Sequence, residues 1–545
     1  MDTYRSCFGY QLNRGTDRLY QPNYSFYPHP ADSVLIPPLR SYRDKILSDF
    51  SLYVRNQKDW LTKSSDRKTF IKWLEKACSG DYRRFNKKIL AWGPEQIEFV
   101  WNETANYRDY VNKLREKGCM IQPDVDGVWR ADNVISPKIK EELIAAVATL
   151  ENVPDKKENW RAGSDGQILD LVDPFRWPVR FGHTLDQRTG KPLVYPRRAF
   201  IPSNTDNRYI LRNESSSYFR LPSEFLTSED GKYTQIRSYI SNLHSPEQKQ
   251  AFYPLIESIF PHFVALFEHV LAELASIRSG WTRGHGCVHD GGRNPGAETK
   301  LQRPKAGITT TDYLAKRKAI FAQFASGGPT TASYLDSTKP LCWRHRSCQN
   351  QKRACEGISH KASVIQVNEN ETPLDPRLIW TPPKFYGAHN LKGRSLKIIL
   401  QLTNTLLTPQ SPVYEESDSW HNQWSLNESI VAIGVYYYAE ENITETRLKF
   451  ETVCADFFRV NCRCGRSDFS VDRTDKIVTK EDRCIAYPNI LKRKVESFEL
   501  VDKTKPGYQK KLIFYLCEPS LAHEMPTSRI VAPQQPETTS MPPAM

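Results

Sequence analysis

Hydrophobic positions change their period along the chain, and the change divides it. From Ser41 the spacing is helical. Ile97, Val100, Trp101, Tyr107, Val111 and Leu114 follow Pro94 and end before Gly118, which predicts a helix with clear start and stop signals. Ser136 and Pro137 offer an N-cap and a first-turn proline to the stripe Ile139, Leu143, Val147 and Leu150. Another apolar helix is expected near Ile259 to Ile277, where Phe263, Phe267 and Leu271 recur at i, i+4. These stripes read as packing layers. Between 279 and 373 the periodicity lapses into glycines, threonines and basic clusters, as in a basic, low-complexity insertion or disordered loop. After Pro373 the runs 396–402, 430–438, 447–452, 484–487 and 512–517 are short, partly β-branched or aromatic, and divided by turn residues, so strands are expected. Tyr436, Tyr437 and Tyr438 alternate along one of them and read as packing on both its faces. The organisation expected is an irregular arm at 1–40, a mainly helical region at 41–278, the insertion at 279–373, a β-domain at 374–525 and a flexible tail at 526–545.

Composition adds little to this. Among 545 residues, 39% hydrophobic and 11% aromatic content suffices for a core, which excludes a wholly disordered chain. A net charge of +13 is mildly basic and does not by itself mark a nucleic-acid binder, so nucleic acid is not the expected partner. No apolar leader follows Met1, and the run from Ile430 to Ala439 is about half of a membrane span. The 12 cysteines are scattered and read as reduced thiols. The expectation is a cytoplasmic or nuclear protein without a membrane segment. No P-loop, dinucleotide fingerprint or nucleophile elbow is present.

The candidate chemistry lies in 418–517. A non-haem Fe(II) oxygenase on a double-stranded β-helix needs a His-x-Asp/Glu pair opening one strand. A second histidine comes some tens of residues later, and a basic residue stands on the closing strand. Trp420-His421, the strand Ile430 to Tyr438, Glu441-Asn442-Ile443-Thr444, Arg483 to Asn489, Val495 and Thr504-Lys505-Pro506-Gly507 occur in the required order. Together with Gly163-Ser164-Asp165, Leu169 to Val172 and Ser238 to His244, they resemble a largely fungal domain-of-unknown-function family whose β-region is similar to 2-oxoglutarate/Fe(II) oxygenases. That resemblance implies an α+β fold, with a helical N-terminal half followed by a C-terminal double-stranded β-helix, jelly-roll or cupin-like. It also implies Fe(II) and 2-oxoglutarate as the family's cofactor and co-substrate.

Three positions depart from the family's boxes. W-H-x-E becomes Trp420-His421-Asn422-Gln423, Q-H-R-V becomes Lys492-Arg493-Lys494-Val495, and P-G-H-R becomes Pro506-Gly507-Tyr508-Gln509. Of the presumed metal ligands only His421 is retained, with Gln423 and Arg493 at the replaced positions. Arg493 has no lone pair to give, and a unit charge 4 Å from a dication costs on the order of 8 kcal/mol at an effective dielectric of about 20. No cofactor is therefore expected. Fe(II) with one glutamate sums to +1, and Arg493 with neutral Gln423 also sums to +1, so one reading is a pocket that keeps its attraction for a small anionic ligand such as an oxoacid, and the other is drift after loss of function with Arg493 simply solvated. Gln509, Lys510 and Arg493 are the candidate anion-binding set, with Lys511 a further cation on the last strand. Whether any catalysis remains is open at this level, and the catalytic residues are unknown.

The first expectation is thus a pseudoenzyme, a binding or accessory protein without iron-dependent activity. The alternatives are an active oxygenase with substitute ligands such as Glu428, Glu451 or His389, and a zinc-stabilised nucleic-acid-binding module in 281–372. The latter would use Cys342, His345, Cys348, Cys355 and His360, whose spacing fits no known finger. His285, Cys287, His289 and Asp290 form a second, weaker ligand group, and Cys462 with Cys464 reads as buried or idle thiols.

Overall fold

The computed structural model describes residues 42–79, 94–152, 159–194, 218–278, 319–327, 379–454 without 424 and 426–427, 470–521 and 527–533, with Tyr27 and two short strands, Tyr4–Arg5 and Gln11–Leu12. The helices are α1 (Tyr42–Arg55), α2 (Arg67–Ser79), α3 (Pro94–Glu116), α4 (Pro137–Glu151), α5 (Pro246–Ile259) and α6 (Pro261–Arg278). Helix α3 spans the stripe from Ile97 to Leu114, and the Ser136 side chain caps α4 by accepting from the Ile139 N–H. Ser245 and Gln248 form a capping box on α5, a start signal that the sequence carries one helix earlier than expected. No single described helix is long and apolar enough to cross a membrane.

The strands needed below are β1 (Ile121–Pro123), β2 (Trp129–Asp132), β3 (Ile168–Val172), β4 (Ser223–Thr227) and β5 (Thr234–Ile236), followed by β6 (Ser395–Leu407), β7 (Val413–Tyr414), β8 (Ile430–Glu441), β9 (Thr446–Cys454), β10 (Ser470–Thr479), β11 (Arg483–Pro488), β12 (Arg493–Val495), β13 (Phe498–Glu499) and β14 (Gly507–Cys517). The major sheet runs β1-β2-β11-β8-β14-β6-β4-β5, with β3 also on β6. Facing it, β10-β9-β12 continue through a bridge from Arg493 to His421, and β7 pairs β13. From β6 onward the chain therefore changes sheet repeatedly. The central order β6-β14-β8-β11 over His421-β12-β9-β10 is that of a jelly roll. The fold is α+β, as expected, but the region before 279 also contributes β1 to β5 to the edges of the same sheet.

Alternation along the strands gives the major sheet two cores. Leu396, Ile398, Tyr436, Tyr438, Leu512 and Phe514 face the helices, whereas Ile399, Val435, Tyr437, Ile513 and Tyr515 face the barrel interior with Phe450 and Ile477. The tyrosine triplet thus packs on both faces. Helix α6 lies on the outer face because β8 offers Gly434 there. A Cβ at that position would come 2.6 Å from Phe263 Cδ1 and 2.8 Å from Phe267 Cζ. Gly434→Ala is expected to lower stability by about 1–3 kcal/mol through forced separation of helix and sheet. Gly387→Ala, whose added methyl meets nothing within 4 Å, is the control in urea unfolding.

A helical stretch at 319–325, inside the expected loop, sends Phe321 and Phe324 into the cluster formed by α1, α2 and α3. Tyr27 of the N-terminal arm is 1% exposed and sits 2.9 Å from His389 Nδ1 through its hydroxyl.

Candidate functional site

The mouth of the jelly roll is built by the short bridge between its paired elements. The His421 N–H donates to the Arg493 carbonyl (2.9 Å) and the Arg493 N–H to the His421 carbonyl (2.8 Å), so these two residues stand side by side in the minor sheet. His421 is exposed, with Nε2 3.1 Å from Ser417 Oγ and 3.2 Å from Ser419 Oγ. Desolvation first, then the Arg493 and Arg161 charges, hold its imidazole below the usual value and so favour the neutral ring. Asn489 pins the connection to β8. It accepts from the Gln423 N–H at 3.0 Å and donates to the carbonyls of Gln423 and Ile430 at 2.8 Å.

Gln423 does not turn toward His421. Its Oε1 accepts from Arg220 Nη2 at 2.8 Å. Arg220 is 1% exposed, and its Nε lies 2.9 Å from both oxygens of Glu428, with Nη2 on the same carboxylate. Its guanidinium is sandwiched between Phe175 (4.6 Å) and Tyr515 (5.0 Å), and Nη1 is buried without a partner. Sequence reasoning passed over Arg220, because nothing in its local pattern announces a partner 208 positions away.

Arg493 projects over the Tyr487 ring, with Cζ 5.5 Å from the centroid, and its Nη1 is buried without a partner among the described residues. Gln509 lies on the inner face but is consumed. Its Nε2 donates to Thr446 Oγ1 at 2.6 Å and to Glu440 at 3.2 Å. Lys510 has to be removed from the anion-binding set. Alternation turns it outward, where its Nζ pairs with Glu151 of α4 at 2.7 Å. Lys511, one residue on, turns inward. Burial first, then the Arg161 charge, pull its ammonium down to about 8, with Arg493 adding to the effect and Asp170 opposing it.

Asp170 supplies the polar wall opposite. Arg161 clamps it at 2.8 and 2.7 Å, Gln401 donates to it at 3.0 Å, and the Tyr515 hydroxyl donates to Gln401 at 2.7 Å. Sequence reasoning did not single out Asp170; the signal that could have found it is a lone carboxylate within the apolar run Leu169 to Val172.

The substitute iron ligands do not converge. Glu428 is held by Arg220, Glu451 pairs with Lys492 at 2.8 Å, and His389 lies in a turn against α6 with Tyr27 as partner. No group of three or more His, Cys, Asp or Glu placed to hold a metal occurs among the described residues. The sets Cys342 to His360, His285 to Asp290 and Cys462 with Cys464 lie outside the described residues.

A family model described as "Protein of unknown function (DUF4246)" matches residues 94–541. No curated protein matches the chain. Similar solved structures include an Fe(II)/(alpha)ketoglutarate-dependent dioxygenase, TqaL, at 6% identity, 78% of this chain, 94% of that one and a TM-score of 0.24. IDO from Bacillus thuringiensis is 8% identical over 23% of this chain and 47% of its own, with a TM-score of 0.17. A bsmA homolog from Methylobium petroleophilum PM1 is also 8% identical, over 23% and 42%, with a TM-score of 0.16. The chain spans under half of the latter two. At such scores none of them carries the assignment of the fold, which rests on strand order.

Proposed function

Because the chain belongs to the DUF4246 family of proteins of unknown function, we propose that it is a jelly roll of the 2-oxoglutarate/Fe(II) oxygenase type that binds a small oxoacid without iron chemistry. It would thus act as a binding or accessory protein. The observation that carries this reading is Arg493, which stands beside His421 with Nη1 buried and without a partner among the described residues. A buried guanidinium nitrogen with a donor to spare is costly unless an acceptor meets it.

The donor set does not suit a ferrous ion. Two imidazoles and a carboxylate are needed, whereas one imidazole, an amide oxygen already accepting from Arg220 and a fixed cation are present. Inorganic chemistry is therefore no part of the mechanism proposed. Arg493 and Lys511 attract and orient the anion, and the Tyr487 face and the Tyr515–Gln401–Asp170 chain shape its enclosure.

Elemental analysis tests the reading. After anaerobic incubation with Fe(II) and desalting, the natural chain is expected to retain no stoichiometric iron. The Arg493→His, Gln423→Glu double variant should retain about one ion per chain, since it restores the donors and removes two units of positive charge. Stoichiometric iron in the natural chain, with turnover of 2-oxoglutarate, would overturn the proposal in favour of a working oxygenase.

A further inference from the structure

The barrel interior contains a cation that no ion pair among the described residues accounts for. Lys511 sits within β14, opposite Thr403 of β6 on one side and Tyr437 of β8 on the other. It shares a face with Ile513 and Tyr515, which belong to the interior core. Unlike Lys510, it makes no hydrogen bond or ion pair with a described residue. The side chain is half-buried, and alternation along β14 places it on the interior face.

Its surroundings have unused polar groups. Thr403 is 1% exposed and its Oγ1 has no partner, and Arg493 Nη1 is also free among the described residues. The Tyr437 side chain, directly opposite Lys511, packs against the same interior. Of the charged groups that bear on Lys511, Asp170 is already held by Arg161 and Gln401, which leaves no carboxylate to accept the ammonium. Burial lets the ammonium give up its proton at a lower pH than an exposed lysine does, and the neutral amine is a nucleophile.

We infer that Lys511 captures the ketone carbon of a 2-oxo acid as a Schiff base while Arg493 holds the neighbouring carboxylate. The inference deepens the oxoacid reading above and rests on it. The balance is simple: the ammonium and the ketone give a protonated imine and one water. The nitrogen lone pair forms the C–N bond, the carbonyl π pair moves to oxygen, and that oxygen leaves as water with two protons from nitrogen. One positive charge stands on each side, and no electrons are exchanged with a third party. The iminium then lies against the substrate's own carboxylate, which compensates it.

Full-length protein is incubated with 2-oxoglutarate, reduced with cyanoborohydride and mapped by peptide mass. The expected result is the reduced adduct on the peptide carrying Lys511, absent with succinate, which has both carboxylates but no ketone. Its initial rate should rise as pH passes through about 8, where the amine loses its proton in the field of Arg161, Arg493 and Asp170. Lys511→Arg keeps the charge and should lose the adduct, because a guanidinium cannot form the imine. Binding of 2-oxoglutarate without any adduct, or an adduct on another lysine, overturns the Schiff base but leaves the oxoacid reading standing. Neither heat nor adduct with 2-oxoglutarate removes both.

Discussion

Arg220→Ala is expected to destabilise the protein by about 3–5 kcal/mol, the largest loss from any single change in the mouth of the barrel. The two charged side chains are 2% and 4% exposed, so deleting the guanidinium strands the Glu428 carboxylate in a place water does not reach. The same change frees Gln423 and removes the plate between Phe175 and Tyr515. Arg220→Leu combined with Glu428→Leu should recover most of the loss, because it removes the stranded charge along with its partner. Urea unfolding followed by tryptophan fluorescence reads both variants. If Arg220→Ala stayed within about 1 kcal/mol of the natural chain, the pair would be worth no more than a surface bridge.

Arg493→Gln is expected to behave in the opposite manner. Affinity for 2-oxoglutarate should fall by about 1.5–3 kcal/mol, which is roughly tenfold to a hundredfold or more, since a charge-assisted bond to the carboxylate is lost. Stability should hold or rise slightly, because a buried Nη1 with no partner among the described residues disappears. That divergence separates a group kept for binding from one kept for folding. Titration calorimetry beside thermal unfolding measures the two quantities on one preparation. A variant that binds as before and unfolds earlier would show Arg493 to be a packing residue stacked on Tyr487.

Residue chemistry accounts for why these two arginines differ although both lie at one end of one barrel. Arg220 has its counter-charge within the chain and contributes rigidity. Arg493 stands where a metal ligand is expected from the family's boxes and has no counter-charge among the described residues, which is why an incoming anion is proposed as its compensation. Lys511 shares that condition on the facing sheet, and in the proposed reading the two together attract an anion with a carbonyl to offer.

What the amino-acid order determined by itself was local. Period and capping laid out α3, α4 and the strands of the β-region, because helix and strand geometry are written in spacings of a few residues. Box order pointed to the jelly roll, and residue type alone told that Arg493 cannot ligate a metal. Tertiary structure decided which candidates share a space. A one-residue step along β14 separates Lys510, spent on Glu151 outside, from Lys511 inside. Glu428 meets Arg220, and Asp170 meets Arg161 and Gln401, only when distant segments close into one sheet. Charges and hydrogen bonds act over a few ångströms of space, and the chain alone does not reveal which of its distant residues fall within that reach.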